Sequence, residues 1–126
     1  MPANKSAPIV LIAANTTVPA GTGREVPVGG SLVADVSAGY GGMINWRITN
    51  NGALGAPCII QFQDSADGQN WYDYEAAYSK DLLSGSVTPG PSIPLKIGVK
   101  YLRAIAYGNT TGQCTVEASV TNVTSL

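Results

Sequence analysis

Residues 43 to 50 read MINWRITN, and the order of side chains decides how the chain folds. Ile44, Trp46 and Ile48 fall on one side, Asn45, Arg47 and Thr49 on the other. A period of two is that of a β-strand with one face buried and the other wet. The pattern returns in CTVEASVT, where Cys114, Val116, Ala118 and Val120 oppose Thr115, Glu117, Ser119 and Thr121. CIIQFQD sets Cys58, Ile60 and Phe62 together, with Gln61 and Gln63 opposite, and SLVADVS sets Leu32, Ala34 and Val36 on one face. KYLRAIAYG is apolar on both faces apart from Arg103, which predicts a central strand.

Turn signals separate these runs. SAGYGG precedes the Trp46 strand, NNGALGAP follows it, SADGQN follows Phe62, and YGNTTGQ joins the last two strands. Asn51-Gly52 and Asp67-Gly68 accept the positive φ that hairpin turns need. SGSVTPGPSIP is too rich in Pro and Gly for a strand interior and is expected to cross an end of the fold. DYEAAYSKDLLSG is the one segment suited to a helical turn, and it reads equally as strand then loop. The reading is all-β: a single antiparallel β-sandwich of about seven or eight short strands. Residues 1 to 8 are expected to form an extended N-terminal arm, and residues 9 to 126 the sandwich domain.

Composition narrows the function. The 126 residues are 44% hydrophobic and 12% charged, with a net charge of −1. That charged fraction is about half the usual one. The seven Lys and Arg are scattered, so no basic patch displaces counterions from nucleic acid. Low surface charge fits a surface that faces another protein, or one built from Ser, Thr, Asn and Gln. The apolar run Ile9 to Ala14 is too short to span a membrane and marginal for a signal-peptide core. The chain therefore reads as made in a cytoplasm, with no membrane partner.

No His is present, so neither an imidazole base nor a His-activated nucleophile can be assembled. Asp73 and Glu75 share a strand face, as the paired carboxylates of a glycosidase must approach one another, but acids around a hairpin are ordinarily solvated. Asp64, Asp67, Asn70 and Asp73 are hard oxygen donors of the kind calcium takes, without the spacing of an EF-hand loop. Ser65 to Trp71 resembles the Asp-box hairpin of sialidase-type propellers, one residue short between Asp and Gly. No enzyme activity, metal or cofactor is expected. Cys58 and Cys114 lack metal-site spacing; buried free thiols are the expectation, and a disulfide the alternative. Asn15, Asn109 and Asn122 head sequons that matter only in a secreted protein.

Trp71, Tyr72, Tyr74 and Tyr78 crowd one strand. Alternation puts Tyr72, Tyr74 and Ala76 on one face and Trp71, Asp73 and Glu75 on the other. Such a strand suits core packing, a protein interface, or a sugar platform.

The series Ile60–Phe62, Ser65–Trp71, Tyr72–Tyr74, Lys100–Arg103 and Gly108-Asn109 resembles small β-sandwich proteins of tailed-phage structural modules, above all the head-decoration (cement) proteins of capsids. The likeness covers about half the chain. It implies a virion protein that sits on the assembled head, often as a homotrimer, and clamps neighbouring major capsid proteins without cofactor or catalytic residue. An arm such as PANKSAPIVLIAAN would add a strand to a partner's sheet edge or exchange within a trimer. The expected partner contacts are Ile9, Val10, Leu11, Ile12, Trp71, Tyr72 and Tyr74. Arg47 and Arg103 are secondary, since an Arg on a strand face suits a partner carboxylate. The alternative is a carbohydrate-binding module of a phage fibre or baseplate; a hydrolase using Asp73 and Glu75 comes third.

Overall fold

A computed structural model describes residues 4–24, 27–50, 56–79, 87–89 and 92–125. These form two antiparallel sheets and no helix. The strands are β1 (Asn4–Lys5), β2 (Ile9–Val18), β3 (Ala34–Asp35), β4 (Gly42–Asn50), β5 (Ile59–Ser65), β6 (Tyr72–Ser79), β7 (Val87–Pro89), β8 (Ile93–Leu95), β9 (Tyr101–Tyr107) and β10 (Cys114–Ser125).

The two most regular alternating sequences form the spine of the first sheet. β10 pairs with β4 from Cys114↔Asn50 to Asn122↔Gly42 without a register shift. The approach is so close at Gly42 that a Cβ there would lie 1.9 Å from the Thr121 carbonyl oxygen. The other edge of β10 takes β2 and then β1, and the far edge of β4 takes β8 and then β7. The second sheet runs β3-β9-β5-β6, with β9 central as its apolar sequence requires. Ile44, Trp46, Ile48, Val116 and Val120 of one sheet face Ile60, Phe62 and Leu102 of the other, all buried. Each such side chain contributes about 1.5–3 kcal/mol by leaving water.

Among the described residues ten strands stand where seven or eight are expected, because β1, β3, β7 and β8 are two or three residues long. Strands this short carry no alternation to detect. β7 and the first two residues of β8 fall inside SGSVTPGPSIP, and these residues pair along β4 rather than merely crossing an end. Pro89 and Pro94 are tolerated because both strands are at an edge. Leu32 is exposed and only Ala34 and Val36 of its run are buried. Residues 72 to 79 are strand, not a helical turn. The Asn51-Gly52 turn and Asp81 lie outside the described residues.

The outer face of the second sheet is covered too. Gln61, Gln63 and Ile105 are buried although they point away from the core. Arg24 reaches this face, pairing with Asp73 and lying 5.8 Å over the Tyr107 ring. Gln61 has a structural task. Between Ile60↔Tyr78 and Phe62↔Tyr74 three residues of β6 oppose one of β5, and Glu75 takes a left-handed φ of 62°. The Gln61 amide donates to the carbonyls of Phe62 and Glu75, both at 2.9 Å, filling this bulge. Tyr74 closes the sandwich at the same edge. Its hydroxyl donates to Pro94 O (2.8 Å) and accepts from Lys96 N (2.9 Å), tying β6 to the end of β8.

Candidate functional site

Strand direction sorts the connections into two groups. At one end lie residues 19–24 and 108–113. Here the fully buried Asn109 amide nitrogen donates to Val18 O (3.0 Å), Pro19 O (3.2 Å) and Gly112 O (2.7 Å). The other end gathers residues 36–41, 66–71 and 96–100, together with β1 and the close of β10.

At this second end three large apolar side chains meet water among polar neighbours. Tyr40 is 48% exposed, Ile97 72% and Tyr72 70%. A Cβ at Gly41 would lie 3.6 Å from Ile97 Cγ1, so the Tyr40 turn backs onto Ile97. Lys96, next to Ile97, has its ammonium 5.8 Å over the Tyr74 ring, two residues from Tyr72. Three exposed apolar side chains thus stand at the same end of the sandwich. Tyr40 and Ile97 are absent from the sequence-based contacts. Their signal was a bulky apolar residue stranded in a glycine turn, SAGYGG and KIGVK, with no core to enter.

The hairpin at this end is held by hydrogen bonds of its own residues. Asp67 Oδ1 accepts from Gln69 N and Asn70 N, each at 2.8 Å, and Oδ2 accepts from Asn70 Nδ2 at 2.7 Å. Ser65 Oγ donates to Asp67 Oδ1 and accepts from Gly68 N at 2.8 Å. Gly68 provides the φ of 78°. Those bonds, led by the Asn70 and Gln69 amides, hold the Asp67 carboxyl well below the usual carboxylate range. Both of its oxygens are occupied by the turn itself.

Asp73 and Glu75 do not form a pair. Asp73 is bonded to Arg24 and Gln63, chiefly the Arg24 hydrogen bond holding its carboxyl below the ordinary value. The bulge turns Glu75 toward Lys96, at 3.5 Å. The four aromatics also separate. Tyr74 is buried, Tyr78 packs on Trp46 with ring centroids 5.3 Å apart, and Arg103 lies 4.4 Å over Trp71. Tyr72 alone offers an open ring.

Of the arm residues, Leu11 and Ile12 are core, Ile9 packs against the core, and Val10 is exposed. Consecutive burial of Leu11 and Ile12 follows from a bulge, since β2 shifts register between Ala118↔Ile12 and Ser119↔Val10. A second shift sets residues 13–15 against Glu117, with Asn15 at a φ of 60°. Here β2 arches away, opening a groove of about 380 Å³ lined by Val10, Ala14, Asn45, Arg47, Glu117 and Ser119. Arg47 is engaged by Glu117 at 3.2 Å, and Arg103 by Gln63 at 2.9 Å. Asn109 and Asn122 are buried, whereas Asn15 is exposed. Searches against protein-family models, curated proteins and solved structures find no match to this chain.

Proposed function

We propose that the protein is a structural, protein-binding β-sandwich that decorates an assembled phage head and cements its major capsid proteins. One observation carries this reading: Tyr40, Ile97 and Tyr72 stand exposed at a single end of the sandwich. An apolar rim of this kind gains by burial against a partner, at about 25 cal/mol per Å² removed from water. A net charge of −1 adds little repulsion to close packing on a lattice. Decoration acts by mass action, because a protein that binds the assembled lattice stabilises that state over free subunits.

The arm contributes through its first residues only. β1 is held by Asn4↔Ser125, Lys5↔Val123 and the Ser6–Asn122 hydrogen bonds, a short edge pairing that strand exchange within a trimer can replace. Leu11 and Ile12 stay in the core.

The test is co-sedimentation with empty heads assembled from the major capsid protein of the cognate phage. Binding to heads, with a raised melting temperature of the heads, supports the reading. Absence of binding, with retardation on polysaccharide gels that Trp71→Ala abolishes, would replace it with the carbohydrate-binding alternative.

A further inference from the structure

On the outer face of the first sheet two cross-strand pairs lie side by side, Ser119↔Asn45 and Glu117↔Arg47. Partners across two strands stand about 5 Å apart, and successive residues on one face about 7 Å apart. Four polar side chains therefore mark the corners of a small rectangle. β2 arches away along one side of it, where Val10 and Ala14 supply an exposed apolar wall. The groove so enclosed measures about 380 Å³, within the span of about 300–1,000 Å³ that small-molecule sites occupy. Trp71, stacked under Arg103, belongs to the other sheet.

The polar atoms of the groove are only partly used within the chain. Asn45 Oδ1 accepts from Ser92 Oγ at 2.8 Å, which leaves the amide nitrogen to donate elsewhere. Arg47 Nη1 meets Glu117 Oε1 at 3.2 Å. The guanidinium has further N–H groups, the carboxylate has a second oxygen, and the Ser119 hydroxyl both donates and accepts.

We propose that this groove binds a short neutral saccharide. The ion pair cancels its own charge, so neither an anion nor a cation gains a net attraction there. A wholly apolar ligand would cover these donors and acceptors and leave them unpaired. A pyranose satisfies both conditions. Its hydroxyls donate and accept at the polar corners, while its C–H face rests on Val10 and Ala14. The Arg47–Glu117 pair stays intact on binding, each charge holding the other in place and making a charge-assisted hydrogen bond to a hydroxyl. An extended peptide fits less well, because it is recognised by adding to a strand edge and this groove opens on a sheet face. An aliphatic wall in place of an aromatic platform sets the affinity in the millimolar range. The site is independent of head binding, which enters none of the readouts below.

The test titrates the whole isotope-labelled chain with maltose and with cellobiose and follows its amide resonances. Saturable shifts should map to residues 10–14, 45–47 and 117–119. Asn45→Ala and Ser119→Ala should each weaken binding roughly fivefold, the loss of one hydrogen bond. Ala14→Phe, which fills the groove, should abolish it, and Trp71→Ala should bind as wild type does. The wild-type shift map decides the matter even where a variant fails to fold. No saturable shift with either sugar, shifts centred on Trp71, tighter binding of glucuronate than of the neutral sugars, or wild-type affinity in Ala14→Phe would each overturn the proposal.

Discussion

Tyr74→Phe isolates the bond that closes the open edge of the sandwich. The substitution keeps the buried ring, so no cavity forms, and removes only the hydroxyl that bonds Pro94 O and Lys96 N at 2.8 and 2.9 Å. Each bond contributes about 1 kcal/mol net. The expected loss is therefore about 2 kcal/mol, or roughly 8 °C in Tm for a chain of this size. Urea unfolding at pH 7 should show a lower midpoint with an unchanged m value. The alkaline limb supplies a second readout. Burial raises the Tyr74 phenol above its ordinary 10.0. Below that pH both states hold the neutral phenol and the contribution is complete; above it the unfolded chain ionises first and stability drains away. The gap between wild type and Tyr74→Phe should thus narrow above pH 10. A loss below about 0.5 kcal/mol at pH 7, or a gap indifferent to alkali, would refute the assignment of this hydroxyl as the clasp.

Asn109→Ala strands three carbonyls that its amide now satisfies, and calorimetry should find a loss of about 3 kcal/mol. Glu75→Gly relieves a left-handed backbone at φ 62° and should stabilise by about 0.5–1 kcal/mol in urea titration, despite removing a side chain. Asp67 has a depressed folded pKa, so its contribution is present above the ordinary 3.8 and lost as pH falls below it. Asp67→Asn should flatten that acid limb in pH-dependent melting. A chain lacking residues 1–8 should fold with a small loss of stability, whereas removal of residues 1–12 should abolish the cooperative transition, because Leu11 and Ile12 are core.

The long strands were legible because β4, β5 and β10 each bury one continuous face, so that period two survives in the residues themselves, and because β9, central in its sheet, is apolar on both faces. The same logic misplaced Leu32, where the chain becomes a regular strand only at Ala34. It also set Asp73 beside Glu75, since alternation assumes an unbroken register and the β6 bulge is encoded by Gln61 on the neighbouring strand. Arg47 and Arg103 looked free for a partner because their own-chain partners, Glu117 and Gln63, are distant in sequence. The same distance hid the apolar end. Tyr40 and Ile97 belong to different connections and Tyr72 opens β6, and only the sheet topology carries them to one end. The Asp67-Gly68 hairpin, by contrast, is local chemistry, and its residues specify it almost alone.

The most direct measurement of the central claim compares wild type with the triple variant Tyr40→Ser, Tyr72→Ser, Ile97→Ser in binding to assembled heads. These side chains are exposed, so the variant should keep the wild-type melting temperature while losing co-sedimentation with heads. A variant that folds normally and binds heads as wild type does would contradict the account.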